Sequence, residues 1–233
     1  MSQYIVGHRG ALGLAPENTL KAFHIGCQGA DVIECDVHLS KDAQLVVIHD
    51  NTLDRTTNGI GWVRNQSLAE LQHLDAGDGE RIPILAEVVD VAKKYNKKLT
   101  IEVKGESWPI VHETTLVLSK FLSQNEEIHE QVSVHSFWHG AVKAIKENYP
   151  HILTAVVMQL GLQPREMVQF ILNAKADGAS IAYDYISEDL LSLAHARNLF
   201  LDAWRLNNTA TFNKMKHLGV NGLITDFPGT FAI

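Results

Sequence analysis

The sequence predicts an α/β chain wound into a (β/α)8 TIM barrel, and three observations carry that prediction. Short apolar or β-branched runs recur, amphipathic stretches separate them, and reactive polar residues stand at the ends of several runs. The runs are Tyr4 to Gly7, Val32 to Val37, Leu99 to Val103, Val132 to Ser136, Leu153 to Val157, Ala179 to Ala182, Phe200 to Trp204 and Gly222 to Thr225. That number favours closure over an open sheet. Helices are expected over Asn18 to Gln28, Leu85 to Tyr95, Pro109 to Ser123, Gly140 to Asn148, Arg165 to Ala174, Glu188 to Ala196 and Thr209 to His217. Punctuation supports the placement: Ser187 precedes a helix as a cap, and Gly29 and Gly219 stand where a left-handed residue ends one.

One segment breaks the rhythm. About fifty residues separate the second run from the helix at Leu85, where a βα loop usually takes about 2 to 6. Within it, Gln44 to Ile48 reads as an extra strand, and residues 51–83, rich in Gly, Asn and Asp, read as a small insertion after the second barrel strand. An excursion from that place is more often functional than decorative. At 233 residues with 45% hydrophobic content, residues 1–233 fit one barrel domain.

The balance of 27 acidic against 20 basic side chains, a formal charge of -7, gives no sign of a nucleic-acid or anionic-membrane partner. Any phosphate must therefore be gripped locally. No stretch approaches the ~18 continuous apolar residues of a membrane span, and the N-terminal residues lack a basic region followed by an apolar one. The expectation is an unexported, cytoplasmic protein without stable membrane association, its oligomeric state left open. Cys27 and Cys35 read as reduced core residues.

Polar residues at barrel strand ends share one pocket. The first strand ends in Gly7-His8-Arg9-Gly10, the second carries Glu34-Cys35-Asp36, the extra strand ends in His49-Asp50, and the third gives Glu102-Val103-Lys104. Alternation sets Glu34 and Asp36 on one face and pairs Glu102 with Lys104. Three carboxylates can then meet. Acids buried side by side repel, and a divalent cation preferring hard oxygen ligands, Mg²⁺ or Ca²⁺, with Mn²⁺ a further candidate, relieves the repulsion. Zinc would want more Cys or His, although His8 and His49 keep that option open. The plainer alternative is ion pairing of Glu34 and Asp36 with Lys104 and Arg9, and lone histidines are usually core or capping residues.

These segments also form an ordered series. It runs through His8-Arg9-Gly10, Pro16-Glu17-Asn18-Thr19, Glu34-Cys35-Asp36-Val37, His49-Asp50, Leu53-Asp54-Arg55-Thr56-Thr57 and Gly59, then Ile82-Pro83 and Ile101-Glu102-Val103-Lys104. Ser136-Phe137, Ala203-Trp204 and Gly222-Leu223-Ile224-Thr225-Asp226-Phe227-Pro228 complete it. The series resembles that of glycerophosphodiester phosphodiesterases over nearly the whole chain. The resemblance implies hydrolysis of a small glycerophosphodiester to glycerol 3-phosphate and an alcohol. It makes Glu34, Asp36 and Glu102 the metal ligands, His8 and His49 the acid/base pair, and Arg9 and Lys104 the phosphate contacts. Residues 51–83 look like the insertion that covers the site and helps choose the alcohol. Arg205 and Leu206 depart from the family pattern, which usually has a small polar and an aliphatic residue after the tryptophan.

Such a set suits a phosphodiester, whose hydrolysis needs charge neutralised on the non-bridging oxygens, a nucleophile deprotonated and a leaving alkoxide protonated. His8 is favoured as base and His49 as acid. The nucleophile is either water or a neighbouring glycerol hydroxyl, which would give a cyclic phosphate first. Trp204 is a wall for the glycerol carbons or a core residue, with Phe137 similarly balanced, and Trp62 anchors a lid or packs the insertion. Glu17 and Asn18 read as a helix cap and first-turn acid, a role placed ahead of substrate contact for Glu17, with Asn18 also a candidate for direct metal contact or for support of a metal ligand. His38 reads as a solvated loop residue, and His73, His129, His195 and His217 as surface. A lysophospholipase D or sphingomyelinase D-like activity would use the same signals on a lipid, but the insertion, with Asp75, Asp78 and Glu80, looks polar. A non-catalytic phosphate- or metal-binding barrel is the remaining alternative.

Overall fold

In the computed structural model, which describes residues 2–233, eight parallel strands close into a barrel with helices between them. The strands are β1 (Tyr4–Gly7), β2 (Val32–Leu39), β4 (Lys98–Val103), β5 (Val132–Ser136), β6 (Leu153–Met158), β7 (Gly178–Ala182), β8 (Phe200–Trp204) and β9 (Gly222–Thr225). Hydrogen bonding runs β1-β9-β8-β7-β6-β5-β4-β2, and β1 pairs with β2 to close the ring. Each expected run lies within one of these strands. The outer helices are α1 (Leu20–Gly29), α3 (Leu85–Tyr95), α4 (Trp108–Ser123), α5 (His139–Asn148), α6 (Pro164–Asn173), α7 (Glu188–His195) and α8 (Thr209–Leu218).

Local chemistry fixes the helix ends. Ser187 accepts a hydrogen bond from the Leu190 N–H at the start of α7, and Gly219 closes α8 in a left-handed conformation. Gly29 does not act that way. It is the last residue of α1, followed by an extended Ala30, and a Cβ at Gly29 would lie 2.5 Å from the backbone nitrogen of Gly229. Close packing, not a positive φ, requires glycine there.

The insertion is seated by strand geometry. β2 runs beyond its parallel neighbours, and Val37 to Leu39 pair antiparallel with β3 (Leu45–Val47). From there the chain passes through the short α2 (Leu68–Gln72) to α3, around a small apolar cluster of Val46, Ile48, Leu53, Val63, Leu71, Ala76 and Ile82. Ion pairs tie this cap to the loop after β1 and the start of α1: Arg55 to Glu17 and Lys21 to Asp78. The cap therefore lies over the barrel mouth on the β1–β2 side. Cys27 and Cys35 are buried free thiols. No helix among the described residues is long and apolar enough to cross a membrane.

Candidate active site

The end of β1 is built for close approach. Arg9 and Gly10 have positive φ, 49° and 81°, so the chain turns sharply as it leaves the strand. Gly10 meets α1, where a Cβ would lie 2.6 Å from the Ala22 carbonyl carbon. This turn brings the Arg9 N–H to Glu34, to which it donates at 2.7 Å. Asn18 is also left-handed, φ 58°, and donates from Nδ2 to Asp36 at 2.8 Å. α1 therefore starts at Leu20, with Thr19 as its cap, instead of at Asn18. Its capping role passed to Thr19 because Asn18 is committed to Asp36. Glu17 does not cap either: its oxygens take Arg9 at 2.6 Å and Arg55 at 2.7 Å.

Strand register assembles the carboxylates. Asp36 on β2 stands directly beside Glu102 on β4, and Glu34 lies two residues back on the same face. One oxygen from each of Glu34, Asp36 and Glu102 lies within 4.8 Å of the others. Lys104 Nζ sits 2.7 Å from Glu102 and 3.3 Å from Asp36, and Arg9 Nε is 3.4 Å from Asp36. The plainer ion-pair alternative is thus met for Asp36, and Glu102 pairs with Lys104 as well. It is not met for Glu34, whose Oε1 is buried without a partner.

Electrostatics follow from that inequality. Glu34 is raised well above the usual carboxylate range, by burial first and then by the charges of Asp36 and Glu102. Asp36 is equally enclosed, and burial opposes its ionisation, but Lys104 and Arg9 outweigh burial and hold it below the ordinary value. An orphaned carboxyl oxygen on Glu34, two further carboxylates and only hard oxygen donors fit Mg²⁺, Ca²⁺ or Mn²⁺ better than zinc, since the cluster includes neither cysteine nor histidine.

Two histidines flank the cluster, each held by a carboxylate. His8 Nδ1 lies 2.6 Å from Asp226 Oδ1, and His49 Nδ1 lies 2.6 Å from Asp50 Oδ1. An ionised carboxylate only accepts, so each Nδ1 carries hydrogen and each Nε2 remains free for proton work. Asp226 is fixed in turn by Asn207 Nδ2 at 2.6 Å, and Asp50 by Arg55 Nε at 2.7 Å. His49 is depressed below the ordinary histidine value, chiefly by burial; Lys104 and Arg9 add to the shift, and Asp36 opposes it.

The cavity above these groups holds about 350 Å³ and is lined by His8, Arg9, Glu34, His49, Glu102 and Lys104. Trp204, Phe137 and Arg205 form its other wall, the Trp204 and Phe137 rings meeting edge to face at 6.1 Å. All eight residues singled out from the sequence line this cavity or, for Asp36, lie buried beside its carboxylates. A shallower groove continues past Lys104 and Phe137 to Trp62 in the cap.

Asp226, Asn207 and Arg55 have no site role in the sequence reading, although Asp226 and Arg55 stand inside the motif series; Glu17, expected as a cap ahead of a substrate contact, instead joins Arg9 to Arg55. His38, expected in solvent, is buried on β2 and its Nε2 lies 3.0 Å from the His49 carbonyl, so it props the loop carrying His49. His129, expected at the surface, is buried against His151 and the Leu122 carbonyl.

The sequence profile of the Glycerophosphoryl diester phosphodiesterase family matches residues 8–230. The YhdW protein of Bacillus subtilis is 39% identical, over 97% of this chain and 95% of its own length. A glycerophosphodiester phosphodiesterase of Caldanaerobacter subterraneus subsp. tengcongensis is 35% identical, over 99% of this chain and 96% of its own. Among solved structures, an Oleispira antarctica phosphodiesterase in complex with the product sn-glycerol-3-phosphate superposes with a TM-score of 0.86 at 28% identity, covering 98% of this chain and 94% of that one.

Proposed function

This chain belongs to the glycerophosphoryl diester phosphodiesterase family, and on that premise we propose that it hydrolyses glycerophosphodiesters to glycerol 3-phosphate and an alcohol. The observation that carries the reading is the buried trio Glu34, Asp36 and Glu102 between two carboxylate-held histidines. The product complex of the Oleispira antarctica relative supports the choice of product.

Glu34, Asp36 and Glu102 would hold one divalent cation. When bound, that ion supplies charge neutralisation at a phosphate oxygen and lowers the pKa of the nucleophile. Every other step falls to side chains. Lys104 and the Arg9 N–H groups not taken by Glu17 face the phosphate; Arg9 Nε has no hydrogen-bond acceptor of its own. His8 and His49 divide the proton transfers through their Nε2 atoms. Burial and the neighbouring cations keep His49 neutral near pH 7, which favours it as base and His8 as acid, the reverse of the assignment favoured from sequence. Trp204 and Phe137 offer apolar faces to substrate carbons.

The polar cap, with Arg55 and Asp50 locked together at its edge, favours deacylated diesters over lysolipids. A direct assay compares glycerophosphocholine, glycerophosphoglycerol and lysophosphatidylcholine with Mg²⁺, Ca²⁺ and Mn²⁺, following glycerol 3-phosphate and lysophosphatidate. Release of glycerol 3-phosphate from the soluble diesters is expected. Preferential cleavage of lysophosphatidylcholine would assign the enzyme to lipid substrates instead.

A further inference from the structure

Three permanent cations line the catalytic cavity, and they are not equivalent. Arg9 is bound to Glu17 and stands near Asp36, and Lys104 is bound to Glu102 and stands near Asp36. Arg205 is different. Among the described residues it forms no ion pair and donates no side-chain hydrogen bond, although its side chain lines the wall beside Trp204. Asp226, whose carboxylate Arg205 influences electrostatically, is already satisfied: its Oδ1 is taken by His8 and its Oδ2 by Asn207.

The backbone holds this arginine at the rim. Trp204 ends β8, the Leu206 N–H donates to the Ile224 carbonyl at 2.8 Å, and the Leu206 side chain is buried. Arg205 is thus clamped between two fixed neighbours while its own side chain is exposed. The adjoining Trp204 Nε1–H is also buried without an acceptor. Two donors in sequence, one of them charged, are therefore left without protein acceptors on one wall of the cavity. One phosphate is already served by Arg9 and Lys104, so an additional unpaired cation asks for an additional anion.

We propose that Arg205 is a specificity-determining residue that selects diesters carrying a second anionic group, a phosphate or carboxylate, on the arm that lies along the Trp204 wall. The proposal rests on the diesterase reading and narrows its substrate class. A cationic arm, such as choline, meets repulsion at the same place.

The test measures kcat/KM for wild type, Arg205→Ala and Arg205→Lys on three diesters: glycerophosphocholine, glycerophosphoglycerol, and glycerophosphoglycerol bearing a terminal phosphate. Wild type should favour the phosphate-bearing diester over glycerophosphocholine by at least about 5-fold, through KM, with the margin shrinking as salt rises from ~0.05 to ~0.5 M. Arg205→Ala should lose that margin, and Arg205→Lys should keep part of it. Equal losses on all three diesters would make Arg205 a contact of the scissile phosphate and overturn the proposal. Wild-type indifference to the second charge would overturn it as well. No turnover of any diester would fail the activity reading itself and this inference with it.

Discussion

Burying Glu34 beside Asp36 and Glu102 leaves its Oε1 without a partner and raises its pKa, burial being the larger cause. For a carboxyl raised in the folded state, the stabilising contribution is present at pH values below the unfolded pKa and is lost as pH climbs through the folded value. At neutral pH the ion-free protein therefore carries a cost that a bound cation offsets. Mg²⁺ or Ca²⁺ should raise Tm at pH 7.5 in wild type; Glu34→Gln should raise Tm without ion and abolish the ion-dependent increment. An undiminished increment in the variant, read by circular dichroism, would remove Glu34 from the ligand set. His49 gives a kinetic prediction. As base it must be neutral, and its depressed pKa puts the acid limb of the kcat/KM profile below the ordinary histidine value of about 6.5. Replacing it with Ala should cost on the order of 10²- to 10⁴-fold and flatten that limb. A limb centred above ~6.5 that survives in His49→Ala would return the base role to His8. At this scale the sequence was informative wherever alternation alone places a side chain, as for Glu34, Asp36 and Glu102. It gave Asp226 no role, because the partner that residue orients is 218 residues away in the chain; Asn18 it offered as a direct or supporting metal contact, and the hydrogen bond to Asp36 fits the supporting one, through a left-handed backbone that no periodicity announces.

Among the elements, α1 acts as the platform of the site. Gly26 lies inside it, and a Cβ there would collide with the Gly10 carbonyl oxygen, part of the turn that carries His8 and Arg9. Alanine would gain about 0.5–1 kcal/mol in helix propensity but would meet backbone that cannot retreat, a penalty of about 1–3 kcal/mol or more. Packing should win: Gly26→Ala is expected to lower stability in urea and to lower kcat as the turn shifts, whereas a stabilised, fully active variant would contradict this packing. The cap is a second case. Its presence was legible from length and composition, and β3 from its apolar run. Its attachment was not, because it depends on Arg55 reaching Glu17 across 38 residues and on His38 turning inward to the His49 carbonyl. The notion that His38 is solvated failed because β2 runs on past its parallel neighbours and keeps both faces covered there.

Across the whole molecule, the barrel places groups from both ends of the chain around one cavity: His8 from the first strand's exit, Asp226 from the last. Eight runs of the right spacing made closure legible. The polarity of the barrel interior was less so. Asp202, on β8 beneath Trp204, is buried, accepts a hydrogen bond from the Tyr4 hydroxyl at 2.7 Å, and is pushed up to about 7, mainly by burial. Its stabilising contribution is complete at pH values below the unfolded carboxylate pKa and fades as pH rises through about 7. Wild type should accordingly lose Tm between mildly acidic and mildly alkaline pH, and Asp202→Asn should lose less; parallel pH profiles for the two proteins would show that Asp202 does not titrate there. The proposed chemistry centres on one ion site at Glu34, Asp36 and Glu102. The most direct measurement strips the protein with EDTA and titrates Mg²⁺ or Mn²⁺ back while following glycerol 3-phosphate release from glycerophosphoglycerol. The account predicts no turnover after stripping, recovery that saturates with one ion bound per chain, and no recovery in Glu34→Gln. Full turnover by the stripped protein would contradict it.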